Sequence, residues 1–161
     1  MTEEILTQYA AGPDGLDDAL GGLSEPDLDI ALEEGKWTIR QLVHHIVDAD
    51  TLAKTMIMAA LGNSGCRYDQ RWYDTRNTFA ETLDYANRSV AAAIAVFHAN
   101  RHHLDQLLRH LPDALDRSVI VMWEKEPEGK ELTVSYLVRG QTWHAEHHTE
   151  QIREIRRACG F

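Results

Sequence analysis

Three histidines fall within five residues in the run Trp143-His144-Ala145-Glu146-His147-His148-Thr149-Glu150. The run reads as part of a long helix. His144 and His148 stand four apart, which puts two helical side chains on one face, one turn apart. Two imidazoles so placed can both reach one metal ion. His147 points off that face, towards solvent.

Leu137, Gln141, His144, His148, Ile152 and Ile155 recur at helical spacing and form one stripe with apolar ends. Such a stripe faces a core. Histidines within it need partners, because an unpartnered polar group is costly to bury. A metal would supply that partner. Hydrogen bonds inside a bundle, or water at its edge, would serve as well, and the spacing alone leaves these open.

A second source of imidazoles is His44-His45, two turns into a helix that Thr38 opens. Thr38 and Gln41 have the spacing of a capping box, in which each side chain caps the other's backbone donor. Adjacent helical residues point about 100° apart, so at most one of the two histidines shares an inward site. His45 lies beside Leu42, Ala49 and Leu52; spacing does not exclude His44. Asp48, Gln141 and Glu150 are candidates to orient a ligand's other ring nitrogen, with Asp48 three residues from His45.

The elements that must position these residues are helical. Residues 3–22 read as a first helix or two helical pieces, interrupted at Gly12-Pro13, where proline suits a renewed first turn. Ser24 to Lys36 is a linker with one helical turn after Ser24. The second helix runs from Thr38 to about Leu61. Gly62 to Thr78 reads as a long loop without regular structure, a class of segment that is often functional. A third helix is predicted from about Phe79 to Leu111 on Leu83, Ala86, Val90, Ile94, Phe97, Leu104, Leu108 and Leu111. His98, His102 and His103 sit at its rim. Arg117 to Trp123 is β-prone, Glu126 to Lys130 reads as a turn, and Thr133 caps a last helix reaching about Cys159. The architecture this predicts is all-α, a four-helix bundle with a short extended or hairpin segment before the last helix.

At 161 residues the chain reads as a single domain, 1–161. Its 26 acidic against 16 basic residues give a net charge of -10. That balance argues against nucleic acid and against an anionic membrane surface as partners. Cys66 and Cys159 form no CxxC pair, and Met1-Thr2-Glu3-Glu4 lacks the basic start of a signal peptide, so a reducing cytoplasm is expected. No stretch is long and apolar enough to span a bilayer.

Trp37-Thr38-Ile39-Arg40-Gln41-Leu42-Val43-His44-His45-Ile46-Val47-Asp48, followed by Trp143-His144-Ala145-Glu146-His147-His148, resembles the DinB superfamily and its YfiT-like branch of candidate metal-dependent hydrolases. Tyr68-Asp69-Gln70-Arg71-Trp72 and Pro127-Glu128-Gly129-Lys130-Glu131-Leu132-Thr133 are similar to that branch too. The resemblance implies an up-down-down-up bundle, often a homodimer, that binds nickel or zinc through three histidines. Carried over residue by residue, these are His45, His144 and His148. The family's loop often reads His-Pro before its Glu-Gly turn, and this chain has Glu126-Pro127 there.

Two classes of function follow. In the first the chain is an enzyme. An open position on a three-histidine metal can bind water and lower its pKa, or hold a thiol as thiolate. The resemblance implies hydrolysis of a small molecule, or S-transfer from a low-molecular-weight thiol of the bacillithiol or mycothiol type. In the second the bundle is a stress-related metal-binding or interaction protein whose metal is structural. A pH-responsive histidine core without metal is a third possibility.

Overall fold

The structure is a computed structural model and describes residues 2–73 and 78–160. The first helical limb is α1 (Thr2–Ala10) followed by α2 (Gly12–Leu20), which opens on Pro13. A short 3-10 turn, Glu25–Asp29, is closed by a capping box between Ser24 and Asp27. Next come α3 (Ile39–Gly62), β1 (Cys66–Asp69), α4 (Thr78–Thr82) and α5 (Ala91–His110). A second 3-10 turn leads into β2 (Ser118–Trp123), β3 (Glu126–Thr133) and α6 (Val134–Cys159).

Two apolar clusters fix how the limbs run. One joins Ile5, Leu6 and Tyr9 of α1 to the last turns of α3, to Leu104 and Leu108 of α5, and to Val134 and Val138 of α6. The other joins Leu16 and Ala19 of α2 to the first turns of α3, to Phe97 of α5, and to Ile152 and Ile155 of α6. The start of the first limb therefore sits with the start of α6 and with the ends of α3 and α5. The order is up-down-down-up, as the family resemblance implies. Two successive parallel limbs need a connection as long as the bundle, and residues 63–90 make it.

That connection differs from the sequence reading in two ways. The segment from Gly62 to Thr78 is not all loop: Cys66–Asp69 forms β1, paired parallel with Val119–Met122 of β2. Four residues have too little pattern to announce a strand whose partner lies 53 residues away, as Cys66 and Val119 do. The long third helix is also broken. Asp84 takes a left-handed conformation (φ 50°) between α4 and α5, which ends a right-handed helix locally. Leu83 and Ala86 are then exposed, and Tyr85 is buried in their place. Residues 74–77 of the former loop lie outside the described residues.

β2 and β3 form the expected hairpin, antiparallel from Ser118↔Thr133 to Trp123↔Glu126. Its turn is Glu124-Lys125, earlier than the sequence suggested, and Glu126–Lys130 belongs to β3. Gly129 has φ +87°, and a Cβ there would stand 2.6 Å from Ile120 Cγ2. The three-stranded sheet caps the end of the bundle at which α6 begins, with Val119, Val121 and Leu132 buried beneath it.

One polar cluster ties all four limbs together at mid-height. Arg101 of α5 is 1% exposed. Its guanidinium donates to Asp50 Oδ1 of α3 at 2.7 Å, to the Tyr9 carbonyl of α1 at 2.7 Å and to the Gln141 carbonyl of α6 at 3.0 Å. The same guanidinium lies over the Tyr9 ring, 3.8 Å from its centroid. A buried charge survives only when paired and hydrogen-bonded in this way.

Candidate metal centre

α3 brings His45 to α6. The helix starts where Thr38 Oγ1 accepts from the Gln41 backbone N–H and Gln41 Oε1 accepts from the Thr38 N–H. Two turns on, His45 faces α6, which crosses it antiparallel. Thr133 caps α6 by accepting from the Tyr136 N–H, and His144 and His148 follow on its inner face. Trp37, just before α3, packs its ring 4.6 Å from that of His45 and 6.4 Å from that of His148. One side of the cluster is therefore walled by an indole.

Each of His45, His144 and His148 offers a ring nitrogen, and these three atoms lie within 4.8 Å of one another. His144 Nε2 and His45 Nε2 are 3.0 Å apart. The ring centroids are 4.6–4.9 Å apart across the trio. Among the described residues this is the one group of three or more His, Cys, Asp or Glu side chains so arranged.

The electrostatics suit a cation. Burial, with the neighbouring His148 adding to it, pushes the His45 imidazole down to about 4. Burial pushes His144 down to about 3, with His148 and His45 adding to it. Burial also lowers His148, opposed by its hydrogen bond to Gln151. Three imidazoles held neutral are the protonation state that a divalent metal requires, and imidazole suits zinc and nickel. His144 Nδ1 is buried with no hydrogen-bond partner, as is Gln141 Oε1 one turn earlier. The donor set fits a divalent ion held by three neutral nitrogens.

The candidate supporting residues separate. Asp48 does not turn to His45; its carboxylate accepts from the Tyr85 hydroxyl at 2.6 Å, on the side of the α4–α5 connection. Glu150 is exposed and paired with Arg157 and Arg153 at 2.8 and 3.4 Å, because it sits on the outer face of α6. Gln141 does lie on the inner side, beside His144. The residue that sequence reasoning missed is Gln151. Its Oε1 stands 2.7 Å from His148 Nδ1, so the Nδ1–H donates and Nε2 is left free. The i, i+3 spacing from His148 could have found it. His44, the other histidine of the pair, is 1% exposed and turned away. It stacks near Tyr85 (5.3 Å) and contacts the Arg88 carbonyl at 3.3 Å. His98 pairs with Asp17 at 2.8 Å, half-exposed, and His102 and His103 are exposed.

Two clefts reach the trio, one at His148 and one at His144. One of about 550 Å³ is bounded by Trp37, Lys36, Glu33, Gln151 and His148. The other, of about 490 Å³, is bounded by Trp123, Tyr136, Trp143 and His144. Both volumes are in the range of small-molecule pockets.

An up-down-down-up helical bundle with three histidines facing one another between its second and fourth limbs defines a recognisable class. The DinB superfamily profile matches residues 8–152, and the chain belongs to that superfamily. It is 27% identical over 150 residues to the candidate metal-dependent hydrolase YfiT of Bacillus subtilis, covering 92% of this chain and 80% of that protein. It is 26% identical over 151 residues to a candidate metal-dependent hydrolase of Geobacillus thermodenitrificans, with the same coverage, 92% and 80%. The solved structure of B. subtilis YfiT, described as an unusual four-helix bundle, superposes with a TM-score of 0.84 at 22% identity. That match covers 99% of this chain and 88% of YfiT, and it bears on the fold.

Proposed function

We propose that this chain is a metal-dependent enzyme acting on a small molecule, with one divalent ion, nickel or zinc, held by His45, His144 and His148. The observation that carries the reading is the convergence of three neutral imidazole nitrogens, with one cleft lined by His148 and another by His144. The names borne by the relatives, candidate metal-dependent hydrolases, support the same class. An ion bound there supplies Lewis acidity at a position that three ligands leave open.

The chain's own residues do the rest. Gln151 holds the His148 ring with Nδ1 protonated, so its Nε2 faces the centre. The Trp37 indole keeps the His45 ring in place and screens it from water. The low proton affinity of His45 and His144 keeps both available as ligands through the neutral range. Hydrolysis is the first reaction we assign, and S-transfer from a low-molecular-weight thiol the second; both use the same centre. We place the enzyme in the cytoplasm, as a homodimer. The test is turnover of a panel of model esters, and of a thiol with an electrophile, by metal-loaded wild type and His144→Ala. Saturable turnover by wild type that the variant loses supports the reading. No turnover of either kind at full metal loading would leave a metal-binding bundle without catalysis.

A further inference from the structure

The inner side of α6 carries Gln141, His144, His148 and Gln151, all half-buried. The histidines stand four apart, and a glutamine lies three residues outside each of them. The two ends of this set differ. At the C-terminal end Gln151 Oε1 accepts from His148 Nδ1–H at 2.7 Å. At the N-terminal end Gln141 Oε1 and His144 Nδ1 are both buried, and neither has a hydrogen-bond partner. Among the described residues only two other side-chain atoms are so placed, His44 Nδ1 and Asp50 Oδ2, and both belong to α3. Residues three apart on a helix are neighbours, so two of the four orphans share one turn of α6.

Their chemistry explains why they do not bond to each other. The 3.0 Å approach of His144 Nε2 to His45 Nε2 is a hydrogen bond with one proton in it, because two bare lone pairs would repel. With that proton on His144, its Nδ1 is a lone pair. Gln141 Oε1 can only accept, so it has no proton to offer there. A ligating imidazole is the other tautomer: it gives the metal the lone pair of one nitrogen and carries its proton on the other. Ligation through His144 Nε2 therefore moves the proton to Nδ1 and leaves the ring neutral. A buried N–H is costly without an acceptor, and Gln141 Oε1 is an unmatched acceptor one turn away.

We propose that Gln141 is the positioning residue for His144, its Oε1 accepting from His144 Nδ1–H when Nε2 is a metal ligand, as Gln151 Oε1 does for His148. The backbone of Gln141 is well anchored for this role. Its carbonyl accepts from Arg101 at 3.0 Å, and the same guanidinium holds Asp50 of α3 and the Tyr9 carbonyl of α1. The clamp at mid-height thus fixes the turn of α6 that presents His144. This inference rests on the metal-centre reading above and adds how one of its ligands is held.

The test uses the full chain as wild type, Gln141→Leu and Gln141→Glu, with zinc ion alone as the probe. Zinc affinity is read by competition with a chromogenic chelator. The ring N–H groups of the zinc-loaded proteins are read by proton–nitrogen NMR, with the His144 signal identified by its loss in His144→Ala. Circular dichroism checks that each variant folds. Wild type is expected to show a slowly exchanging His144 Nδ1–H. Gln141→Leu should bind zinc about 10–100-fold more weakly and lose that signal to exchange, while the His148 Nδ1–H stays. A carboxylate is the stronger acceptor, so Gln141→Glu should restore the affinity and move the His144 Nδ1–H downfield. A glutamine that only packed against the helix would give neither the rescue nor the move. Unchanged affinity in Gln141→Leu overturns the inference. So does a His144 Nδ1–H that Gln141→Glu leaves in place, which decides the matter even where Gln141→Leu does not fold. No zinc uptake by wild type overturns the metal-centre reading and this inference with it; full uptake with unaltered variants overturns this inference alone.

Discussion

Gln151 Oε1 lies 2.7 Å from His148 Nδ1, less than one turn along the same helix. This bond fixes the tautomer of the ring and leaves Nε2 to the cluster. Supports of this kind are worth about 10–100-fold in metal affinity. Gln151→Leu is therefore expected to weaken metal binding by about that factor. Gln151 is half-buried on a well-packed helix, so the fold should hold. Competitive titration with a chromogenic chelator reads the affinity. Unchanged affinity would show that the bond plays no part in ligation.

The buried pair Arg101–Asp50 makes a stability prediction. Both side chains are 1% exposed and the Nε–Oδ1 distance is 2.7 Å. Asp50→Ala leaves the guanidinium without its counter-charge and should cost about 3–5 kcal/mol. Replacing both partners together, Asp50→Leu with Arg101→Met, should recover a large part of that loss, since well-packed apolar pairs substitute for buried ion pairs. Urea unfolding of the two variants against wild type measures the difference. A single variant as stable as wild type would contradict the clamp.

Asp48 and Tyr85 make a prediction that separates fold from site. Their 2.6 Å bond joins α3 to the connection between α4 and α5. Burial and the neighbouring carboxylate of Asp48 both raise the Tyr85 hydroxyl well above its ordinary range, so it stays a donor. Tyr85→Phe should lower stability by on the order of 1–2 kcal/mol and leave metal affinity unchanged. A drop in metal affinity would return Asp48 to the centre.

The acid limb of stability follows from the trio. His45 titrates near 4 and His144 near 3 in the folded chain, against about 6.5 when unfolded. Between those values the unfolded chain binds more protons. Stability is then complete above about pH 6.5 and falls as the pH drops through that window. Chelator-treated wild type should lose stability on acidification from pH 7 to pH 4. A His45→Asn, His144→Asn variant should lose less over the same range. Urea midpoints at several pH values test it, and parallel curves for the two proteins would refute it.

How far the sequence went can be traced residue by residue. α3 and α6 were legible because their caps are local: Thr38 with Gln41, and Thr133 before a long periodic run. The pairing of His144 with His148 was legible for the same reason. The choice of His45 over His44 needed the family resemblance, since spacing left both open; the structure puts His45 in the trio and turns His44 towards Tyr85. What depended on distant partners was not legible. β1 exists because β2 lies beside it. The apolar spacing through Leu83 gave no sign of the left-handed turn at Asp84. Glu150 was one of three candidates to orient a ligand's ring nitrogen, and two arginines pair with it on the exposed face of α6. The Arg101 clamp draws on four limbs at once, and no local pattern encodes that.

The central claim is that His45, His144 and His148 hold one metal ion. Elemental mass spectrometry of tag-free protein tests it most directly, on wild type and on His144→Ala. The account predicts about one nickel, zinc or similar divalent ion per chain, from three imidazole ligands, and its loss in the variant. Wild type that carries no metal and takes none up from solution, or a variant that keeps its full complement, would contradict it.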